Sequence, residues 1–437
     1  MNVRKMMRID RWVGVPACAL VSGWRWLTTP FRPSADAPVR SIAFIKLAEQ
    51  GSTVLAQSAL LDAVRRVGRE NVYMVVFDDN RFIVDVLDVI PVENVITVCS
   101  DSFLALIPSA IAALARMRRL RLGAVIDLEF FARSSALLAF LSGAAVRVGF
   151  HAFFGEGPYR GDLMTHRIRY NPHLHTTQTF AMLVAALDVP AEDFPRFDLV
   201  PVRPEDAPVC FSAQPGEAEE MERILAELTG VRPVPPFILL NANASDLLPL
   251  RRWDPERYVE LARRLIAALP EVWIGFTGAR EDAAVIDQLV AKVGEARCVS
   301  LAGKTTLRQL MVLYTLAEVL VTNDSGPAHF ASLTPIRTVT LFGPETPLLF
   351  AALTPHNKPL WAGIACSPCV SAVNNRQSAC TNNVCMQRIS IEQVFEAVVA
   401  SYGERKTMRA DATGERLAGM ARQVAVAVGT EVSAAAL

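Results

Sequence analysis

The sequence predicts an α/β chain built from two doubly wound, Rossmann-like domains facing a central cleft. Three observations carry this expectation. Short apolar strands alternate with amphipathic helices from Ser41 onward, the alternation lapses in a proline-rich acidic stretch and restarts at Phe237, and 437 residues exceed what one core of ordinary size organises.

The charge balance narrows the function. Lys+Arg and Asp+Glu both number 44, so net charge is zero, and the basic surface that binding nucleic acid demands is missing. Hydrophobic residues make up 51% and mean hydropathy is +0.27, which directs attention to a membrane contact.

Residues 1–40 carry seven basic side chains (Arg4, Lys5, Arg8, Arg11, Arg25, Arg32, Arg40) against Asp10 and Asp36. The 13 uncharged residues between Arg11 and Arg25 are too few for a spanning helix, which needs about 20. With Trp12, Trp24 and Trp26 at its ends, the segment suits the interface of an anionic leaflet. A secretory signal is the rival, given Ala35-Asp36-Ala37, and a helix packed on the protein body is a third reading.

In the first half, strands are expected at Ile42–Leu47, Val72–Phe77, Val95–Cys99, Ala124–Leu128 and Val146–Phe150, with helices at Thr53–Arg66, Ser102–Arg119 and Arg133–Ser142. This order implies right-handed crossovers and a parallel sheet. Gly155 to His175 breaks the rhythm with Tyr159, Arg160, His166, Arg167 and His173, and reads either as a cleft-facing loop with cations for an anionic acceptor or as a solvated connection. Residues 201–236 read as the interdomain connection, with one helix at Glu217–Leu228. Further strands are expected at Phe237–Leu240, Val272–Phe276, Cys298–Leu301, Val319–Val321 and Thr338–Phe342, with helices at Pro255–Leu269, Glu281–Val293 and Ile391–Ser401. The tail, 403–437, lacks a strong apolar face and is expected to be loosely held.

The stretch from Val319 to His329 organises the second half. An apolar strand breaks into Asn323-Asp324-Ser325-Gly326-Pro327-Ala328-His329, where Asp324 and Ser325 are placed to cap a helix, Gly326 permits close approach of a ligand, and His329 lies one turn inside. Other strand ends offer Asn243 and Ser245 with Arg251-Arg252-Trp253, then Glu281 and Asp282, then Glu345. Several such ends on one sheet suit a nucleotide diphosphate, which needs a cation and oriented N–H donors. Gly303-Lys304-Thr305-Thr306 imitates the end of a Walker A loop, but Cys298 stands where the first glycine belongs.

Asn323 to His329, followed by Leu341-Phe342-Gly343-Pro344-Glu345-Thr346-Pro347 and preceded by Leu301 to Leu307, resembles glycosyltransferase family 9, the bacterial heptosyltransferase family. The resemblance covers roughly Ser41 to Ser401. It implies a GT-B fold, with residues 41–200 as acceptor-binding domain and 237–402 as nucleotide-sugar-binding domain. It further implies inverting transfer without a required cofactor, from ADP-heptose or a similar donor to a lipid-linked or polysaccharide acceptor such as a lipopolysaccharide precursor. The location implied is peripheral, on the cytoplasmic face of the inner membrane. Carried over by position, Asp324, Ser325, Gly326 and His329 bind the donor, and Arg251 stands where the family has a lysine that neutralises the leaving diphosphate; arginine keeps the charge and adds bidentate reach.

The family's catalytic aspartate is replaced. Gly51-Ser52 occupies the place of a Gly-Asp pair, and a serine hydroxyl is no base at neutral pH. Glu49 is the nearest carboxylate and is expected to be the base, with Lys46 orienting or neutralising acceptor charge; Asp127 and Glu129 are the alternatives. The acceptor side is thus expected to comprise Lys46, Gly51, Ser52, Arg160 and His166. A non-catalytic nucleotide-sugar-binding scaffold, and a nucleotide-sugar hydrolase or epimerase, are the competing readings.

Cys366, Cys369, Cys380 and Cys385 approach structural-zinc spacing. Disulfides and free thiols are the alternatives. Cys18, Cys99, Cys210 and Cys298 lie in apolar contexts and read as core.

Overall fold

The computed structural model describes residues 3–28, 38–155, 157–191, 198–199, 210–244 and 248–410. The first half forms a six-stranded parallel sheet of β1 (Ile42–Ile45), β2 (Val72–Phe77), β3 (Val95–Val98), β4 (Ala124–Asp127), β5 (Val146–Phe150) and β6 (His166–Ile168), in the order β3-β2-β1-β4-β5-β6. The second half repeats the plan with β7 (Phe237–Asn241), β8 (Trp273–Phe276), β9 (Cys298–Ser300), β10 (Val319–Asn323), β11 (Arg337–Phe342) and β12 (Asn357–Trp361), in the order β12-β11-β10-β7-β8-β9. The central strands are buried on both faces, as their branched apolar sequences require. Two doubly wound domains arranged in this way constitute a GT-B fold.

Each order reverses once, between β1 and β4 in the first sheet and between β7 and β10 in the second. Ligands of open α/β sheets bind beyond the carboxyl ends of the strands at such reversals. The registers Ile45 to Asp127 and Thr322 to Asn241 place the relevant strand ends side by side.

The helices follow local signals. Ser102 caps α6 (Phe103–Leu120) by accepting from Ala105 N, Asp254 caps α10 (Pro255–Ala268), and a Thr306–Gln309 capping box starts α12 (Leu307–Leu316). The helix expected at Thr53–Arg66 is two helices, α3 (Gln50–Leu55) and α4 (Gln57–Val67). One apolar cluster unites both halves, joining residues such as Phe44, Leu60 and Phe180 to Phe237, Leu313 and Phe330.

Three expectations about organisation are corrected. The stretch read as a loop contains β6, whose three residues add a parallel edge to β5. The helix within the expected connection, α9 (Glu217–Thr229), packs on α12 through Glu217–Arg308 and Glu220–Gln309 contacts, so it belongs to the second domain's layers. The last helix runs 391–410, beyond the expected end at Ser401, because Arg409 pairs with the buried Glu318 at 2.7 Å; 411–437 lies outside the described residues.

The N-terminal segment forms α1 (Val3–Trp12) and α2 (Gly14–Thr28). One side packs on the body: Asp10 accepts from Arg133 N and Ser134 N at the start of α7 (Arg133–Leu141), and Cys18 joins the core beneath. Trp12, Trp24 and Trp26 remain 76%, 62% and 79% exposed. No helix among the described residues is long and apolar enough to cross a membrane. The Ala35–Ala37 stretch lies outside them.

Candidate functional site

At the first reversal, Lys46 is fully buried and donates from Nζ to Ala48 O (2.5 Å) and Glu129 Oε1 (3.1 Å), while Glu49 Oε2 stands 3.8 Å away. Glu129 Oε1 also accepts from Ala48 N at 3.1 Å, so this carboxylate anchors the turn that carries Glu49. Glu49 itself sits at the head of α3 with a left-handed backbone, φ 70°, and Ser52 Oγ donates to its carbonyl at 3.0 Å and to its carboxylate at 3.2 Å. Burial pushes the Glu49 carboxyl upward, but Arg376, then Lys46, Arg251 and the Ser52 hydroxyl outweigh it and hold the group below its ordinary value.

Asp127 and the predicted acceptor-side cation Arg160 have turned inward. They pair with each other, Ser135 Oγ donates to Asp127 at 2.9 Å, and Arg160 also donates to the carbonyls of Glu129 (3.1 Å) and Phe130 (3.0 Å). Burial raises Asp127 to about 6 in spite of Arg160. Both residues brace the turn from behind, so Arg160 does not face an acceptor. His166 is likewise structural: it lies in β6, bonded to Thr165 Oγ1 (3.0 Å) and Val189 O (3.1 Å).

At the second reversal, Asn323 ties three segments together. It accepts from Trp253 N at 3.0 Å and donates to Ala242 O (3.3 Å) and Asn243 O (3.1 Å). Trp253, fully buried with its indole bonded to Ile389 O, then fixes the turn that delivers Arg251. Arg251 is ion-paired with Glu345, donates to Asp324 O at 3.3 Å and lies 3.6 Å from Asp324 Oδ2. Glu345, 1% exposed, is raised to about 7 by burial and the neighbouring Asp324, despite both Arg251 and Arg376.

Ser325 holds the N-cap position of α13 (Gly326–Ala331), yet no side chain caps the helix; its hydroxyl donates backward to Asn323 O at 3.0 Å. The expected capping by Asp324 and Ser325 is therefore not made, and both side chains stay on the strand side of the turn. His329 is buried, its ring laid against Gly51, and burial, helped by Arg251, depresses it to about 4. Asn243 points its amide at Gly278, whereas Glu281 is exposed and Asp282 accepts from Ala279 N at 3.1 Å at a helix start. Ser245 lies outside the described residues.

The two strand-end groups meet across the cleft through a residue the sequence reading did not single out. Arg376 is ion-paired with Glu49 of the first domain, and its Nε lies 3.4 Å from Glu345 Oε1 of the second. Its guanidinium also rests 5.6 Å over the Phe350 ring. Around this bridge, buried Arg251 Nε, Asp324 Oδ2, Glu345 Oε1 and His329 Nδ1 have no hydrogen-bond partner in the protein. Buried polar atoms are rarely left without a hydrogen bond, and here Arg251 Nε with Asp324 Oδ2 and Glu345 Oε1 with Arg376 Nε are held by charge alone, at 3.6 and 3.4 Å.

The four clustered cysteines do not form a metal centre as arranged. Cys366 and Cys380 are exposed, Cys380 Sγ donates to Asn382 O at 3.2 Å, Cys369 Sγ accepts from Ser378 Oγ at 3.3 Å, and Cys385 is buried. Among the described residues, the group with metal-ligating spacing is instead Asp78, Cys99 and Asp101.

The model of glycosyltransferase family 9 (heptosyltransferase) matches residues 113–379, more than half of the chain. Lipopolysaccharide heptosyltransferase 2 of Salmonella typhimurium is 38% identical over 101 residues, 23% of this chain and 29% of that protein. Lipooligosaccharide heptosyltransferase 2 of Haemophilus ducreyi is 29% identical over 160 residues, 33% and 43% respectively, so the chain spans less than half the length of these curated relatives. The structure of E. coli ADP-heptose lipopolysaccharide heptosyltransferase II superposes with a TM-score of 0.61 at 19% identity, covering 84% of this chain and 99% of that one. A glycosyltransferase family 9 structure from Veillonella parvula gives 0.61 at 18% identity over 85% and 100%. The fold, the strand-end site and the family match agree: the chain belongs to glycosyltransferase family 9, the heptosyltransferase family.

Proposed function

We propose that this chain is an inverting glycosyltransferase that moves a sugar, heptose by its relatives' names, from a nucleotide-diphosphate donor such as ADP-heptose to a lipopolysaccharide or other surface-glycan precursor. The observation that carries the reading is the cluster of largely buried ionisable groups Arg251, Arg376, Asp324, Glu345 and His329, set at the reversal points of both sheets with several of their polar atoms ion-paired but not hydrogen-bonded. A diphosphate suits Arg251, Ser325 and the neighbouring Asn243, while Asp324 and His329 suit sugar hydroxyls. Glu49 takes the proton from the acceptor hydroxyl, the acceptor oxygen bonds to the anomeric carbon, and the bond to the diphosphate breaks with its electron pair departing as phosphate charge. Arg251 stabilises that charge, and single displacement inverts the centre. Closure of the domains around the reacting atoms excludes water and suppresses donor hydrolysis. The exposed tryptophans of α1 and α2 support peripheral docking on the cytoplasmic face of the inner membrane, where a lipid-linked acceptor resides.

Donor consumption measured with and without lipid-linked glycan tests the proposal. Turnover that requires acceptor and falls at least about 100-fold in Glu49→Gln is expected. Donor consumption indifferent to acceptor identifies a hydrolase, and nucleotide binding without turnover identifies a scaffold; either result overturns the reading.

A further inference from the structure

The Glu49–Arg376 pair presents a difficulty for a base at position 49. The carboxylate that has to accept a proton is held by a guanidinium from the opposite domain, and a carboxylate in such a pair is a weak base. The groups facing Glu49 come from several elements. Ser52 belongs to its own helix, Lys46 to the end of β1 with Glu129 behind it, and Arg376, Arg251, Glu345 and the neutral His329 all to the second domain.

Arg376 is placed with some care. Both it and Asn375 have left-handed backbones, φ 53° and 52°, a conformation an arginine adopts at a cost. The turn is fastened by Arg376 N donating to Ser371 O (2.9 Å), Ser371 N to Asn374 Oδ1 (2.9 Å) and Asn374 Nδ2 to Cys369 O (3.0 Å). Glu49, its partner, is also left-handed. Two locally strained turns, one from each domain, therefore deliver the two ends of one ion pair.

Arg376 further shares Glu345 with Arg251, so two guanidiniums flank one buried carboxylate. Two adjacent guanidiniums are what a diphosphate, with two sets of anionic oxygens, recognises best. A diphosphate bound there competes with Glu49 for Arg376. Resting on the transferase reading above, we propose that Arg376 senses the donor: it turns from Glu49 to the diphosphate when the nucleotide sugar binds, and so frees Glu49 to act as base only in a loaded site.

The coupling has a chemical purpose. Before the donor arrives Glu49 is tied to a cation; afterwards that cation lies on the leaving group, and the carboxylate can take the acceptor proton. Arg376 thereby acts as a donor-binding and positioning residue, with its effect on proton transfer exerted through Glu49.

The experiment compares Arg376→Ala and Arg376→Lys with the wild type, reading the pH dependence of kcat/KM and the affinity for ADP as probe. The acidic limb of kcat/KM, which reports the free enzyme, is expected to move up by about one pH unit or more in Arg376→Ala, the size of an opposite charge's influence at contact. ADP affinity is expected to fall about 10-fold or more, and Arg376→Lys to restore most of both. An unmoved limb with unchanged ADP affinity in folded Arg376→Ala overturns the inference; should that variant unfold, the same readings on Arg376→Gln decide. Glu49→Gln separates the two levels. If it retains turnover, the transferase reading has the wrong base; if it loses turnover while Arg376→Ala changes neither readout, only the sensing role fails.

Discussion

Gly51 of the first domain and His329 of the second touch across the cleft, and a Cβ built on Gly51 would stand 2.5 Å from Cδ2 of the imidazole. The ring is buried and cannot swing aside freely, so the missing side chain is what allows the domains to meet at the site. Gly51→Ala is expected to lower stability by about 1–3 kcal/mol through overpacking and to reduce turnover by preventing closure. The double variant Gly51→Ala/His329→Ala recovers much of the lost stability, since removing the ring frees the space. Denaturant unfolding of both variants checks the coupling.

Arg251 is expected to matter twice over. Arg251→Ala leaves Asp324 without its cation and Glu345 with Arg376 alone, so stability falls by up to about 3–5 kcal/mol, the usual effect of breaking a buried pair. Arg251→Lys keeps the charge but loses the fork, and is expected to remain folded while binding ADP about 10-fold more weakly. Calorimetric titration with ADP, alongside thermal unfolding, distinguishes the two effects.

His175 donates from Nε2 to Ala351 O across the domains at 2.9 Å and accepts from Thr177 N at Nδ1, which commits it to the neutral form; burial lowers it to about 4. Its folded value lies below its unfolded value near 6.5, so the unfolded chain takes up the proton first. Stability contributed by His175 is therefore present above pH 6.5 and lost as pH falls toward about 4, at up to about 1.4 kcal/mol per pH unit. His175→Asn is expected to be less stable than wild type at pH 7, with the gap narrowing at pH 6 and again at pH 5. Comparing the two proteins cancels the opposite trend of Asp127 and Glu345, whose raised values favour the folded state as pH falls.

Thiol labelling separates the cysteines. Cys366 and Cys380 are exposed, whereas burial pushes Cys18 and Cys210 up to about 11 and Cys298 up to about 12. Two fast-reacting thiols at neutral pH are expected, with the buried ones released by denaturant. Protection of Cys366 and Cys380 that a chelator abolishes would mean that the cluster gathers around a metal after all.

The fold was legible wherever burial left a repeating mark. The strand pattern located both sheets, and the β10 to α13 turn and Arg251, singled out from the sequence, do lie in contact at the second reversal. Two edge strands escaped, β6 because His166-Arg167-Ile168 is three residues with a polar centre, and β12 because it carries Asn357, Lys358 and Pro359. Arg160 and His166 misled for the opposite reason: polar residues in an irregular stretch suggest a ligand, but these are buried against Asp127 and Val189 carbonyl, and nothing local reveals such distant partners. Arg376 lies in a turn of Asn374-Asn375-Arg376 with no motif, and its importance exists only once Glu49, 327 positions away, is beside it. The paired asparagines are the signal available, since they favour the left-handed backbone that aims the arginine.

The N-terminal helices carry a prediction that the packed core does not. Asp10 and Cys18 spend one face of α1 and α2 on α7, leaving Trp12, Leu20, Trp24, Trp26 and Leu27 outward, with Arg8 and Arg11 exposed beside them. Exposed aromatic rings beside cations suit the interface of an anionic bilayer, and peripheral docking of this kind needs no spanning helix. In the same layer, α6 turns Leu104, Ile107 and Ile111 to solvent at helical spacing, so the apolar surface extends beyond the first 40 residues. Sedimentation with vesicles is expected to retain the chain on phosphatidylglycerol-rich bilayers more than on phosphatidylcholine, and less as salt rises, because the cationic contribution is screened. Replacing Trp12, Trp24 and Trp26 together by serine weakens retention about 10-fold or more, each ring removing an anchor whose burial is worth on the order of 1.5–3 kcal/mol when complete. Because the three rings are largely exposed, thermal unfolding is expected to shift far less than retention; equal retention of the triple variant on anionic vesicles would exclude this face as the docking surface.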